Sequence, residues 1–425
     1  MKVVLLSKSD AKGGAAVVTF RLMSALRKRG IDARMVVSEK YSDSPFVEEA
    51  SAGLRRKIPF LAERLKIYIA NGFKRSTLFK IDTGSDGISV IKHPLIEAAD
   101  IVCLNWINQG FLSLKEIKRL SDCGKKIVWT MHDMWNMTGI CHHAGDCNRF
   151  LSPDGSCGYC PLLGKCGSMH DLSYRILKKK RNLYTGTDIH FVAVSSWLSE
   201  LARKSTLLHA ANIRVIPNPF PEEFLQSSPS ADDTDSTGNM KSIKIIFGAA
   251  RLDDDIKGFP TLIRVTQILA ESWPEESSEM ELITFGGIKN PDLLKDIAIS
   301  TTHLGEIQSG EIRKIYESGD IVVSTSSWET LPGTLIEGQA WGCIPVAFNH
   351  GGQRDIIDHK KTGYLADWND LQEERALSIA KGIMWASKFA KKLNTDMYKN
   401  VRDRFSEEAV ANQYISLFKS ITHRY

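Results

Sequence analysis

Nowhere in this chain of 425 residues does an apolar run approach the roughly 18 to 20 residues that a membrane-spanning helix needs. An export signal is missing too, since Met1 to Leu6 runs straight into a strand-like segment. The expected location is therefore the cytoplasm, with peripheral contact at the inner face of the plasma membrane as the further option. Cysteine use is uneven, and a cytoplasmic protein keeps its thiols reduced, which argues against a disulfide scaffold. No motif for nucleic-acid recognition accompanies the basic residues, so no nucleic-acid partner is expected. Nor does any side chain present itself as a covalent nucleophile.

Apolar residues make up 43% of the chain and charged ones 25%, the balance of a folded globular protein. The length suits two domains of roughly 150 to 220 residues. Charge is divided unevenly. Residues 1–225 hold 33 Lys and Arg against 21 Asp and Glu, and the remainder hold 22 against 29. The first half is thus basic and the second acidic, and a basic half suits a polyanionic partner such as an anionic membrane surface.

Short apolar runs alternate with helical patterns along the chain. Val3-Val4-Leu5-Leu6 precedes a turn at Lys12-Gly13-Gly14 and a helical stretch from Ala15 to Arg29. Strand-like segments recur at Ala33 to Val37, Ile101 to Leu104, Ile127 to Thr130 and His190 to Val194. They resume at Ile243 to Phe247, Glu281 to Phe285, Ile321 to Ser324 and Ile344 to Phe348. The alternation predicts an α/β protein with two doubly wound parallel sheets. The expected division is an N-terminal domain at 1–225 carrying a Cys-rich insertion at about 141–170, a flexible polar segment at 226–241, a second domain at 242–395, and a C-terminal helical segment at 396–425 that braces the domains.

Open α/β sheets bind ligands beyond the carboxyl ends of their strands. Gly13 and Gly14 follow the first strand, where bare backbone lets a phosphate approach; a plain tight turn explains a glycine pair equally well. Arg251 ends the first strand of the second domain, and Lys257-Gly258 stands just before a helix. Two cations there suit a diphosphate leaving group. In Trp328-Glu329-Thr330-Leu331-Pro332-Gly333-Thr334-Leu335-Ile336-Glu337, two carboxylates flank a Pro-Gly turn that opens a helix. Glu329 would face sugar hydroxyls from the loop, the turn N–H groups would meet phosphate, and Glu337 would accept ribose hydroxyls from the helix. The plainer reading makes Glu329 a cap and Glu337 a surface residue.

Together the Gly13-Gly14 loop, Arg251 with Lys257-Gly258, Glu329-x7-Glu337 and the following Ala-Trp-Gly-Cys-Ile-Pro-Val346 resemble the family 4 retaining glycosyltransferases over nearly the whole chain. The resemblance implies a GT-B fold, two Rossmann-like domains facing a central cleft. It implies a nucleotide diphosphate-sugar as donor, held mainly by the second domain, and a hexose transferred without a catalytic metal. By it, Arg251 and Lys257 bind the diphosphate, Glu329 touches the sugar, Glu337 holds the ribose, and Thr330, Leu331, Pro332 and Gly333 line the donor site. Asn218 matches an interdomain turn of the family, with Pro219 in place of the usual glycine. His132 of His132-Asp133 resembles the active-site histidine, where a neutral imidazole would position the reacting centre.

Five of the eight cysteines fall between Cys141 and Cys166. Cys157-Gly-Tyr-Cys160 has the spacing of a zinc half-site, so Cys141, Cys147, Cys157 and Cys160 are the expected ligands of a structural zinc. Cys166, His142 or His143 could substitute. A Cys-rich insertion here looks like a subgroup of family 4 from bacterial surface-polysaccharide pathways. The acceptor implied is a glycan or a polyprenyl-diphosphate-linked saccharide. Around Leu61 to Phe73 apolar residues recur with Lys and Arg between them, a pattern that either packs on the sheet or lies on a membrane. Basic runs occur at Arg55-Arg56-Lys57, Lys74-Arg75 and Lys178 to Arg181. The competing functions are a GT-B sugar-nucleotide epimerase, which needs no second sugar as acceptor, and a noncatalytic nucleotide-sugar-binding protein, which needs no cleft histidine beside both cations.

Overall fold

The computed structural model describes residues 1–152, 157–225, 242–307, 309–389 and 394–422. The polar segment at 226–241 lies outside them, as do four residues of the Cys-rich insertion. Contacts divide the chain into two compact units, Met1–Pro219 with Val410–Tyr425, and Phe220–Ala409.

In the first unit the strands are β1 (Lys2–Ser9), β2 (Asp32–Glu39), β3 (Val47–Glu49), β4 (Ile101–Leu104), β5 (Lys126–Met131), β6 (Ile189–Ala193) and β7 (Ile213–Val215). They pair in the order β3-β2-β1-β4-β5-β6-β7, all parallel. β4 and β6 are buried throughout and β1 is buried from Val3 onward, because helices cover both faces of a parallel sheet. Their sequences accordingly read as apolar runs rather than alternations. Helix α1 (Gly14–Lys28) turns Leu22, Met23 and Leu26 into the core. The final helix, Glu407–Thr422, packs Val410, Tyr414, Leu417 and Phe418 into the same cluster as Val3, Leu5 and Ile101. The Tyr414 hydroxyl meets Thr130 Oγ1 of β5 at 2.9 Å.

In the second unit β8 (Ile243–Arg251), β9 (Met280–Gly287), β10 (Ser300–His303), β11 (Ile321–Ser324), β12 (Ile344–Phe348) and β13 (Tyr364–Ala366) pair in the order β10-β9-β8-β11-β12-β13, again all parallel. The helices Phe259–Ser272 and Gln372–Ser387 pack on it through Leu262, Val265, Leu269, Ile379 and Ile383. Both units are thus the doubly wound sheets that the alternation predicts. The edge strands β3, β7, β10 and β13 go unread in the sequence, since a strand of three or four residues paired on one side needs no apolar run. Strand order reverses at β1/β4 and at β8/β11, and at such points the loops diverge and leave a crevice beyond the strand ends.

Candidate active site

At the β1/β4 reversal, Gly13 takes φ 93° and starts α1 with no side chain capping its first N–H groups. A cleft of about 560 Å³ opens there, lined by Lys8, Lys12, Gly13, Gly14, Phe60 and Trp106 among others. Lys8, at the end of β1, is the residue that the sequence does not advertise. Its Nζ lies 3.3 Å from Glu39 Oε1 and donates to Ser38 Oγ at 3.2 Å and to the Gln109 carbonyl at 3.3 Å. Burial pulls its pKa below the usual lysine value, against the pull of Glu39.

β5 ends at Met131 and delivers His132 next. Its Nε2 stands 3.2 Å from Asn105 Oδ1, the residue that follows β4. Burial lowers the His132 pKa to about 4, only partly offset by Asp133, so the imidazole is neutral at pH 7 and can share a hydrogen bond with a hydroxyl. Asp133 is fixed from three sides: Trp135 N donates to Oδ1 at 2.8 Å, and Trp106 Nε1 at 3.0 Å and His142 Nδ1 at 2.7 Å meet Oδ2. The other ring nitrogen of His142 meets Asp82 Oδ2 at 2.6 Å. Trp106 thereby ties the His132-Asp133 turn to the cleft at Gly13.

His142 departs from expectation. Both of its nitrogens are committed to carboxylates, so it cannot substitute as a zinc ligand. Burial opposes its charge, yet Asp133 and Asp82 outweigh burial and push its pKa up to about 10. The unfolded imidazole titrates near 6.5. The folded state therefore holds this proton the more tightly, and the resulting stability is complete below pH 6.5 and fades as pH rises through 10. His142→Gln should accordingly lower Tm most at pH 6 and progressively less toward pH 10, about the range bounded by the two pKa values. Thermal unfolding across that range checks this; a Tm gap that does not narrow refutes it.

The cysteines are also corrected. Cys141, Cys147, Cys157 and Cys160 do line one cavity of about 20 Å³. Among the described residues, however, no three His, Cys, Asp or Glu side chains group as a metal site, so a structural zinc is not supported. Cys166 is exposed, beside Gly72. Buried polar groups brace the segments that flank the loop. Lys180, inside the basic run Lys178 to Arg181, is wholly buried and donates to the carbonyls of Trp135 at 2.5 Å and Thr138 at 3.1 Å. Its ammonium sits 3.4 Å from the centre of the Trp135 ring. Asp171 accepts the N–H groups of Cys160 and Ser173 at 2.8 and 2.9 Å.

In the second unit, β8 ends at Arg251, whose guanidinium reaches Asp254 Oδ2 at 3.0 Å. A single 3-10 turn, Asp255–Lys257, follows, and Gly258 at φ 69° opens the helix Phe259–Ser272. Lys257 Nζ donates to Glu329 Oε1 at 2.5 Å, with both side chains partly exposed. The two expected residues, 72 positions apart, are therefore joined. Glu329 is anchored by its own carbonyl, which accepts Gly352 N at 2.7 Å. Four residues on, Gly333–Ala340 begins as a helix after Pro332, with no side chain capping it. Its first N–H groups and partial positive charge thus open beside the Glu329 loop, an arrangement able to take an anion. Glu337 lies half-buried on this helix, and the buried Tyr316 hydroxyl reaches its Oε2 at 3.5 Å. Burial keeps that phenol protonated, hence a donor. Leu331 and Pro332 are buried, and Thr330 and Asn218 are half-buried, Asn218 in the first unit after β7.

The description "Glycosyltransferase Family 4" matches residues 12–224, half of the chain, and "Glycosyl transferases group 1" matches residues 231–404. An uncharacterized glycosyltransferase of Haemophilus influenzae is 31% identical over 122 residues, 28% of this chain and 33% of that protein. The putative colanic acid biosynthesis glycosyl transferase WcaC of Escherichia coli is 20% identical over 99% of this chain and 100% of its own. The match to the Haemophilus protein thus spans only a third of that protein's own length. Among solved structures, Anabaena HepE in complex with UDP and glucose superimposes with a TM-score of 0.59 at 17% identity, over 99% of this chain and 100% of that one. With two all-parallel Rossmann-like sheets, this likeness identifies a GT-B fold. On the match to its first half, the chain belongs to glycosyltransferase family 4.

Proposed function

We propose that this glycosyltransferase is a retaining, metal-independent hexosyltransferase that moves a sugar from a nucleotide diphosphate to a glycan or polyprenyl-diphosphate-linked saccharide in surface-polysaccharide biosynthesis. The observation that carries the reading is the Lys257–Glu329 pair at 2.5 Å, set at the mouth of the uncapped helix that bears Glu337. The full-length likeness to the colanic acid relative supports the pathway class, and the UDP complex of HepE supports a nucleotide donor.

In this reaction the bond from the anomeric carbon to the phosphate oxygen breaks while a bond to the acceptor oxygen forms on the same face. The acceptor's proton passes to the leaving phosphate. Arg251 and Lys257 would spread the charge that grows on the diphosphate, with N–H groups of Thr330 to Gly333 beside them. Glu329 would hold Lys257 in place and accept sugar hydroxyls, and Glu337 would accept the ribose hydroxyls. Neutral His132 would orient the sugar, and Gly13-Gly14 would let the donor approach the backbone.

Thermal unfolding against UDP, GDP, dTDP, CDP and ADP and their sugar conjugates, with Glu337→Ala alongside, tests the donor site without an acceptor. Ligand at a hundred times its Kd adds about 2.7 kcal/mol of stability. One nucleotide series should raise Tm in the parent and not in the variant. Absence of any shift at millimolar ligand would overturn the reading.

A further inference from the structure

Helix α2 (Leu54–Ala70) turns the wrong residues outward for ordinary packing. Leu54, Ile58, Leu61, Leu65 and Ile69 are each 55% to 74% exposed. At about 100° per residue they fall within an arc of about 80°, a continuous apolar stripe along the helix. Phe73 and Phe79, exposed to the same degree, lie just beyond its end. The opposite face does the anchoring. Glu63 Oε1 accepts Thr83 N and Gly84 N at 2.8 and 2.9 Å, Ile67 is fully buried, and the backbone at Phe60 comes so near Gly110 that a Cβ there would stand 2.4 Å from the Phe60 nitrogen. The helix is thus fixed with its stripe facing water, which reverses the packing arrangement the sequence allowed.

Charge says what covers the stripe. Residues 51–81 carry eight Lys and Arg and one carboxylate, Glu63, which is buried. Arg55, Lys57, Lys66, Lys74, Arg75 and Lys80 are exposed. By the same helical spacing Lys57 borders one side of the stripe and Arg55 the other, where their alkyl stems can lie along an apolar layer while the charges reach outward; Lys66, on the same side as Arg55, is paired with Asp86 at 2.6 Å. A net positive rim around an apolar strip disfavours docking a second copy, whose equivalent face repels it, and matches anionic headgroups above acyl chains. Among the described residues no helix is long and apolar enough to cross a membrane.

We propose that α2 is an interfacial membrane anchor, seated by Leu54, Ile58, Leu61, Leu65 and Ile69 in the acyl boundary of an anionic leaflet and held by the flanking cations. For its purpose, presenting a lipid-linked acceptor, the proposal rests on the function proposed above; its geometry stands apart from it. Flotation of the full chain with phosphatidylglycerol–phosphatidylcholine vesicles, against pure phosphatidylcholine vesicles, is the test. Binding is expected with the anionic vesicles only. Each cation near such a surface contributes about a fivefold gain, so Arg55→Gln, Lys57→Gln and Lys74→Gln combined should weaken binding about a hundredfold. Ile58→Ser, Leu61→Ser and Leu65→Ser combined should abolish it while leaving Tm and the nucleotide-induced Tm shift as in the parent, since these side chains already face water. No flotation of the parent, equal flotation of the serine variant, or a parent dimer that the serine variant dissolves would each overturn the anchor. A missing nucleotide shift in the parent would instead count against the transferase reading and leave flotation intact.

Discussion

Lys257→Ala should lower kcat by about a hundredfold to a thousandfold, the usual cost of losing one well-placed charge donor to a leaving group. Arg251, the other cation expected at the diphosphate, is engaged by Asp254 at 3.0 Å. Removing Lys257 also strips Glu329 of its 2.5 Å partner and leaves a partly buried carboxylate facing the incoming phosphates. The loss should therefore exceed that of Glu329→Gln, which keeps the cation. Initial rates of sugar release from the donor series identified by thermal shift would measure it. A Lys257→Ala enzyme that keeps half of the parent's kcat would remove the leaving-group role.

The second large effect is expected at Gly258, where strain and stability meet catalysis. Its φ is 69°, and a Cβ there would stand 2.1 Å from the Thr325 carbonyl oxygen. Thr325 in turn donates through Oγ1 to the carbonyls of Lys257 and Gly258, both at 3.0 Å. Gly258→Ala must either open the turn or push it off the end of β11. Left-handed backbone and overpacking together cost about 3 kcal/mol. Because the shift moves the residue next to Lys257, the variant should lose donor-induced stabilisation as well as Tm. Urea unfolding with and without nucleotide separates the two. Parent-like stability would mean that the turn is not fixed against Thr325.

Several features of the site are legible in the sequence. Lys257 and Glu329 stand out because a cation before a helix and a carboxylate before a Pro-Gly turn each have a chemical reason to be there, and the fold joins them. Lys8 was not legible. It lies two residues beyond the apolar run Val3 to Leu6, and only the meeting of β1, β2 and the loop after β4 encloses it. His142 misleads for a related reason. Next to cysteines it reads as a ligand, while the carboxylate that claims its second nitrogen, Asp82, is 60 residues away in sequence.

The stripe on α2 marks the same boundary between the two kinds of information. Its periodicity is written in the sequence, but a helical pattern has the same period whether the apolar face turns inward or outward. Burial of Glu63 and Ile67 settles which face the protein keeps. By itself the sequence determined the central strands of the two parallel sheets, because residues buried on both faces must be apolar in unbroken runs, and it supplied the cations and carboxylates of the loops after β8 and β11. Only the tertiary structure decided which distant side chains pair, which cations are buried and which apolar residues meet water, since those depend on contacts between segments that no local pattern encodes.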